Sequence, residues 1–173
     1  MASPREFEFS QGTFGGGMAC TSCARLDACT YADGLPLNAR LVTEVGAKMW
    51  QARGNLRSED TQEIVDDDRF FTDTYDFDAW QCSFTGAEGR GNVQDVLETM
   101  RRSKHSGVVF TDGAVSFAAG VGADGKWFIF DSHPPSSREW LCDTEADLVP
   151  VIRDLLLCKS VFDCSIVTRK TPK

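Results

Sequence analysis

Two short stretches of this sequence carry side chains that could perform nucleophilic catalysis. The first ends at Cys20, which follows the run Gly15–Gly17 and stands where a helix is expected to begin. A helix N-terminus stabilises a thiolate, because its unpaired N–H groups and its dipole favour negative charge. The second is Asp131-Ser132-His133 at the end of a predicted strand, where residues i and i+2 point to the same face. Together they supply a thiol, an imidazole and a carboxylate.

These side chains favour acyl transfer to water. A carboxylate at Asp131 would fix the tautomer of the His133 ring and stabilise the imidazolium that forms when the ring takes a proton. If His133 faces Cys20, the two form a thiolate–imidazolium pair, in which a thiol pKa can fall to about 3–4. Gln11, upstream of the nucleophile, could donate a side-chain N–H to an oxyanion beside the backbone N–H of Cys20. The predicted reaction is attack on a carbonyl, a thioester intermediate and hydrolysis.

Each of these features also has a simpler structural explanation. An Asp-x-His at a strand end is more often structural than catalytic, and a glycine loop before a cysteine is often only a turn. Their combination favours catalysis, because the chain has only two histidines and the other, His105, follows a basic helix end where it would compensate the dipole. Cys23, one helical turn beyond Cys20, is an alternative nucleophile. We favour Cys20 because it directly follows the glycine loop.

Composition limits the class of protein. Hydrophobic residues make up 42% and charged residues 25% of the 173 residues, which predicts one globular domain over residues 1–173. The net charge of −8 argues against nucleic acid as a partner and favours a basic one. No apolar run approaches the roughly 20 residues that span a bilayer, and the first residues lack the apolar segment of a secretory signal. We therefore expect no membrane contact, and seven reduced cysteines in the cytosol or nucleus.

The elements that must position the candidate residues divide into a helical first half and a strand-rich second half. Helices are predicted at about 18–32, 38–53, 60–65 and 92–104. Strands are predicted at 108–111, 114–121 and 126–131, separated by Asp-Gly turns, and at about 162–166. The aromatic stretch 70–84 has no clean period and is interpreted as a packed loop with short extended pieces. A last helix is predicted to open at Thr144 or Pro150, with Pro150 best explained as a residue of its first turn. This order predicts an α+β fold, with helices of the N-terminal half packed on a mainly antiparallel central sheet from the C-terminal half.

The run Gly17-Met-Ala-Cys20-Thr-Ser-Cys23-Ala24, followed far downstream by Phe130-Asp131-Ser132-His133, resembles the herpesvirus large tegument protein deubiquitinases and their tegument-like relatives. The resemblance implies a papain-like cysteine protease fold. We expect the protein to be a monomer that uses no cofactor or metal. It implies the nucleophile at Cys20, the Asp-x-His pair at Asp131 and His133, and the oxyanion glutamine at Gln11. The implied substrate is ubiquitin, polyubiquitin or a ubiquitin-like modifier, cleaved after its C-terminal glycine. The implied location is the cytoplasm or nucleus of a host cell, or the virion tegument for a viral protein.

A ubiquitin substrate would also explain the glycine loop and the acidic balance. The diglycine end of ubiquitin needs a narrow channel. The C-terminal tail of ubiquitin also carries arginine, which would be attracted to carboxylates. The acidic candidates for that contact are Asp66, Asp67, Asp68, Asp76 and Asp78.

Two alternatives remain open. Cys20-x-x-Cys23 has the spacing of a zinc half-site or a redox motif, although a zinc site needs about four ligands and the chain has no second Cys-x-x-Cys. The other alternative is a catalytically inactive ubiquitin-binding domain on a protease-like fold.

Overall fold

The computed structural model describes residues 3–17, 19–52, 71–84, 91–103, 105–112, 115–122, 124–157 and 161–170. Its helices are a 3-10 helix (Gln11–Phe14), α1 (Cys20–Ala32), α2 (Ala39–Ala52), α3 (Val93–Arg102) and α4 (Glu145–Leu155). Its strands are β1 (Arg5–Glu6), β2 (Tyr75–Ser83), β3 (Gly91–Asn92), β4 (Ser106–Thr111), β5 (Ser116–Val121), β6 (Trp127–Asp131), β7 (Arg138–Cys142) and β8 (Val161–Arg169).

The strands of the described residues form one eight-stranded sheet in the order β1-β7-β6-β5-β4-β8-β2-β3. Every neighbouring pair is antiparallel except β2 and β3. Because side chains alternate along a strand, Val108 and Phe110 of β4 pack with α3 and α4, whereas Val109 packs with α1 on the other face. The sheet is therefore covered on both faces, and α2 packs on the outer side of α1.

Helix α1 lies unusually close to the sheet. Ala24 and Ala28 are fully buried on it, and a side chain at Gly107 of β4 would clash with the backbone of Ala28. A side chain at Gly120 of β5 would clash in the same way with the ring of Tyr31. Small residues on both partners thus fix α1 against the central strands. The start of α1 is thereby held beside the strand ends that carry the predicted catalytic residues.

Most of the predicted elements are present. The first two helices and the helix after Asn92 are confirmed to within about two residues, and Asn92 caps α3 by accepting the backbone N–H of Asp95 at 3.0 Å. The three hairpin strands and the last strand are also confirmed. The helix predicted at 60–65 lies outside the described residues. None of the helices in the described ranges is both long and apolar enough to cross a membrane.

Residues 75–83 form one continuous strand, so the packed loop with short extended pieces predicted there is wrong in its loop part. Tyr75 and Phe77 pack towards α1, while Trp80 and Cys82 pack towards the other face. A strand with apolar residues on both faces has no simple alternation, which concealed it. The sheet therefore takes β2 from the first half of the chain as well as strands from the second half.

The C-terminal half departs from the predictions at two points. Strand β7 was not predicted, because it is short, mixes charged and apolar residues, and follows a proline pair. Pro150 lies inside α4 rather than in its first turn, so the start at Pro150 is wrong and the alternative start at Thr144 is confirmed. Helix α4 begins after Thr144, whose hydroxyl accepts the backbone N–H of Asp147 at 3.3 Å.

Candidate active site

Cys20 is the first residue of α1, and its side chain is half-buried. The ring of His133 and Ser116 on β5 lie close enough to this thiol to affect its ionisation. Burial raises the pKa of the Cys20 thiol, but the hydrogen bond and charge of His133, together with Ser116, outweigh it, so the pKa is lowered overall. The sequence-predicted pairing of Cys20 with His133 is therefore present in the geometry.

His133 lies between Cys20 and Asp131. Nδ1 of His133 bonds to Oδ1 of Asp131, and the backbone N–H of His133 donates to the same oxygen at 3.2 Å. This arrangement leaves Nε2 as the ring nitrogen that serves Cys20. Burial lowers the pKa of His133, but the hydrogen bonds and charges of Asp131 and Cys20 raise it to about 10. At neutral pH the ring is thus an imidazolium, and its charge favours the thiolate form of Cys20.

Asp131 ends β6 with its side chain only 3% exposed. Its second oxygen, Oδ2, accepts a hydrogen bond from Nη2 of Arg138 at 2.9 Å. Burial raises the pKa of Asp131, but His133 and Arg138 lower it further, so this carboxyl stays ionised. The carboxylate has a positively charged partner on each oxygen.

Gln11 is brought to the same place by the turn of 3-10 helix. Its backbone N–H donates to the carbonyl of Ser132 at 2.9 Å, and its side-chain Oε1 accepts the Ser132 hydroxyl at 2.7 Å. Nε2 donates one proton to the carbonyl of Gly17 at 3.1 Å. A primary amide carries a second N–H, which is the one that an oxyanion would use. The side chain itself is buried, with the residue 1% exposed.

Cys23 has a different environment from Cys20, although it lies only one helical turn away. It is fully buried, and its thiol donates to the carbonyl of Thr43 on α2 at 3.8 Å. Burial, with the charge of Asp27, raises the pKa of Cys23 well above its ordinary value. A buried, protonated thiol is a poor nucleophile, so the geometry favours Cys20.

His105 lies at the opposite end of α1 from Cys20. Its ring packs against Gly34, just beyond the last turn of the helix. Since α1 has 13 residues, its ends are about 20 Å apart, and His105 is too far away to serve Cys20. In the part of the chain that the structure describes, no cluster of three or more metal-ligating side chains occurs.

A cavity of about 320 Å³ opens beside the start of α1. Thr21 and Arg25 of α1 line it, opposite the strand residues Thr111, Ser116 and Asp163. Its apolar wall is formed by Phe71, Phe77 and Val109.

The acidic residues proposed from the sequence do not line this cavity. Asp76 and Asp78 alternate with Tyr75 and Phe77 on β2, so they point away from α1. Asp66, Asp67 and Asp68 lie outside the described residues. Asp163, which the sequence did not single out, is the carboxylate in this cavity.

Sequence reasoning also missed three polar residues at the site, namely Ser116, Ser132 and Arg138. Ser132 stands inside the Asp-x-His motif, where its contact with Gln11 depends on the fold. Arg138 is directly opposite Asp131 in the β6–β7 register, so a correct assignment of β7 as the next hairpin strand would have found it. Ser116 carries no sequence signal beyond its position after the Asp112-Gly turn.

No protein-family model matches the chain, and no curated protein sequence matches it. A solved structure that does match is the ubiquitin-specific protease encoded by murine cytomegalovirus tegument protein M48, in complex with a ubiquitin-based suicide substrate. The TM-score is 0.63 at 13% sequence identity, over 99% of this chain and 88% of that chain. At this identity the likeness concerns the fold, and it confirms the papain-like α+β fold expected from the sequence.

Proposed function

We propose that this chain is a cysteine-type deubiquitinase that cleaves ubiquitin, or a ubiquitin-like modifier, after its C-terminal glycine. The observation that carries the proposal is the series Cys20, His133 and Asp131, built from the start of the central helix and the end of a central strand, in which the His133 ring is hydrogen-bonded to Asp131 and lies close enough to the Cys20 thiol to lower its pKa. Its occurrence on a fold shared with a ubiquitin-specific protease supports the choice of substrate over other acyl compounds.

In the first step, the Cys20 thiolate attacks the carbonyl carbon of the terminal glycine of ubiquitin. A C–S bond forms, and the carbonyl oxygen becomes an oxyanion that the backbone N–H of Cys20 and the second N–H of Gln11 would stabilise. The oxyanion collapses and the C–N bond breaks. Its electron pair passes to the leaving nitrogen, which takes the Nε2 proton of His133. Ubiquitin is left as a thioester on Cys20.

In the second step, neutral His133 takes a proton from water as the water oxygen attacks the thioester carbon. The C–S bond breaks, ubiquitin leaves with a free carboxyl group, and the thiolate–imidazolium pair is restored. Asp131 remains ionised throughout, because His133 and Arg138 hold its pKa low despite its burial. Its role is to keep Nδ1 protonated and Nε2 directed at the reacting atoms.

The surroundings of Cys20 support a substrate with a small, basic tail. An added side chain at Gly17 would meet no atom within 4 Å, so the loop before Cys20 leaves open space. Asp163 in the adjoining cavity offers a carboxylate to a basic residue of the tail, and the net charge of −8 favours approach of a basic partner.

The test is reaction with ubiquitin that carries a C-terminal electrophile, followed by peptide mass spectrometry of the adduct. We expect one ubiquitin on Cys20, lost in Cys20→Ala and in His133→Ala. Cys23→Ser is the matched control, since it changes a thiol of the same helix that the geometry leaves outside the reaction. That variant should label like the unmodified chain.

Each alternative predicts a different outcome of this experiment. An adduct on Cys23 would keep the function and move the nucleophile. Binding of ubiquitin without an adduct would favour an inactive binding domain. A stoichiometric zinc ion in native mass spectra, removed by denaturation, would favour the metal module. Failure to react with ubiquitin and with ubiquitin-like probes would refute the proposal.

A further inference from the structure

We propose that Arg138 is a positioning residue of this site, which fixes the carboxylate of Asp131 so that one oxygen is held for His133. Arg138 does not touch the reacting atoms and acts through Asp131. The inference concerns the proposed cysteine protease site and so rests on the proposed function. Its central measurement nevertheless needs no substrate.

The two oxygens of Asp131 are divided between two partners. Oδ1 accepts both the ring Nδ1 and the backbone N–H of His133, and Oδ2 accepts Nη2 of Arg138 at 2.9 Å. A carboxylate is planar, so a fixed Oδ2 also fixes the direction of Oδ1. The Asp131 side chain is 3% exposed, and water is poorly placed to replace a lost partner. Without Arg138, the charged oxygen Oδ2 would lose its partner in a buried place.

The fold places Arg138 there by sheet register. Arg138 is the first residue of β7 and stands directly opposite Asp131, the last residue of β6. Its guanidinium also lies over the ring of Trp140, 4.9 Å from the ring centre. Trp140, two residues further on the same strand face, packs in the core with α3 and α4. Arg138 therefore reaches Asp131 from the face of the sheet opposite to α1 and its thiol.

The positive charge of Arg138 should affect the ionisation of Asp131, His133 and Cys20. The ionisable groups around His133 are Cys20 from α1, Asp131 from β6 and Arg138 from β7. Behind Asp131 lies the carboxyl of Asp27 on α1, whose pKa is raised by its burial and by the charges of Glu139 and Asp131. Arg138 supplies the positive charge on the Oδ2 side of Asp131. Loss of a positive charge raises the pKa of every acid nearby, here the Cys20 thiol and the His133 imidazolium.

The experiment compares Arg138→Met and Arg138→Lys. Methionine keeps an apolar stem over Trp140 but removes the charge and the N–H donors, whereas lysine keeps the charge and loses the planar fork. Arg101→Met is the matched control, because Arg101 is ion-paired with Glu145 between α3 and α4, away from this site. The titration of His133 is followed by NMR of the imidazole ring. The chain has only two histidines, so His105→Gln assigns the signals.

For Arg138→Met we expect the pKa of His133 to rise by about 0.5 unit or more. Both limbs of the pH profile of kcat/KM for ubiquitin hydrolysis should move to higher pH by a similar amount. The kcat should fall about tenfold with KM nearly unchanged, which corresponds to the loss of one hydrogen bond to a charged group. Arg138→Lys should keep both limbs in place and lose about threefold in kcat. Arg101→Met should match the unmodified chain.

A merely structural role for Arg138 predicts another pattern. Arg138→Met would then lower the melting temperature while the His133 titration and the pH profile stayed unchanged, and this result would overturn the proposal. If Arg138→Met does not fold, Arg138→Lys with unmodified kcat at every pH would overturn it equally. If the unmodified chain fails to react with ubiquitin, the proposed function fails, and the NMR titration still decides whether Arg138 governs the charge of His133.

Discussion

The substitution Asp131→Asn tests the electrostatic basis of the site most directly. It replaces a buried carboxylate by a neutral group of the same shape. The pKa of His133 is raised from 6.5 to about 10, against the effect of its burial, by hydrogen bonds and charges from Asp131 and Cys20. At about 1.4 kcal/mol per pKa unit, the net effect, after the opposing effect of burial, favours the protonated ring by on the order of 5 kcal/mol. If Asp131 supplies about half of this, its loss lowers the pKa of His133 by roughly 2 units.

The expected consequence is a narrower pH range of activity. The basic limb of the kcat/KM profile, which follows loss of the His133 proton, should move from near pH 10 to about pH 8. At neutral pH the ring stays mostly protonated, so kcat/KM should fall roughly 30- to 100-fold because the ring loses the partner that orients it. The rate of alkylation of Cys20 by iodoacetamide, measured against pH, reports the thiolate without any need for ubiquitin.

The stability of the protein gives an independent sign. Because the pKa of His133 in the folded state is raised above 6.5, protonated His133 contributes to the free energy of unfolding. This contribution is complete below about pH 6.5 and is lost as pH rises through about 10. The melting temperature of the unmodified chain should therefore decline over this window, and that of Asp131→Asn should decline earlier and by less.

Asp33→Asn is the matched control for this substitution. Asp33 also accepts a hydrogen bond from an arginine, Arg169, at 2.8 Å, but at the far end of α1. It should leave the alkylation profile and the basic limb unchanged. An Asp131→Asn variant whose basic limb remained near pH 10 would refute the reasoning, because His133 would then owe its charge to other groups.

Two further predictions concern the cavity and the packing of α1. Asp163→Asn should lower kcat/KM for ubiquitin substrates about 3- to 5-fold, which is the value of one partly exposed ion pair. The change should lie mainly in KM and should be smaller at high salt. Steady-state kinetics at two ionic strengths measure this effect. The control Asp76→Asn, on the opposite face of the sheet, should match the unmodified chain. Equal effects of the two substitutions would mean that only the net charge of the protein matters. Gly107→Ala should destabilise the fold by about 1–3 kcal/mol, since the new methyl would meet the backbone of Ala28. Urea unfolding measures it against Gly17→Ala, where the methyl meets open space, and a stable Gly107→Ala would mean that α1 can move away from the sheet.

Much of the chemistry was predictable because it rests on local patterns. Cys20 after a glycine loop, and Asp131 with His133 on one face of a strand, are each contained in a few consecutive residues. Arg138 was not predictable, because its contact with Asp131 depends on the β6–β7 pairing across a proline-containing turn. The same holds for Asp163, which joins the cavity only through the long-range pairing of β8 with β4.

The two cysteines of the Cys-x-x-Cys pair show how the fold decides between chemistries that the sequence leaves open. A redox dithiol needs both sulfurs within reach of a partner, and a zinc half-site needs both as thiolates. Cys20 is half-buried at the start of α1, where His133 and Ser116 lower its pKa against the effect of burial. Cys23 points into the contact with α2, where Gly46 leaves room for its sulfur and burial keeps it protonated. One helical turn thus separates the proposed nucleophile from a packing residue, and the proposed acyl transfer needs only the first.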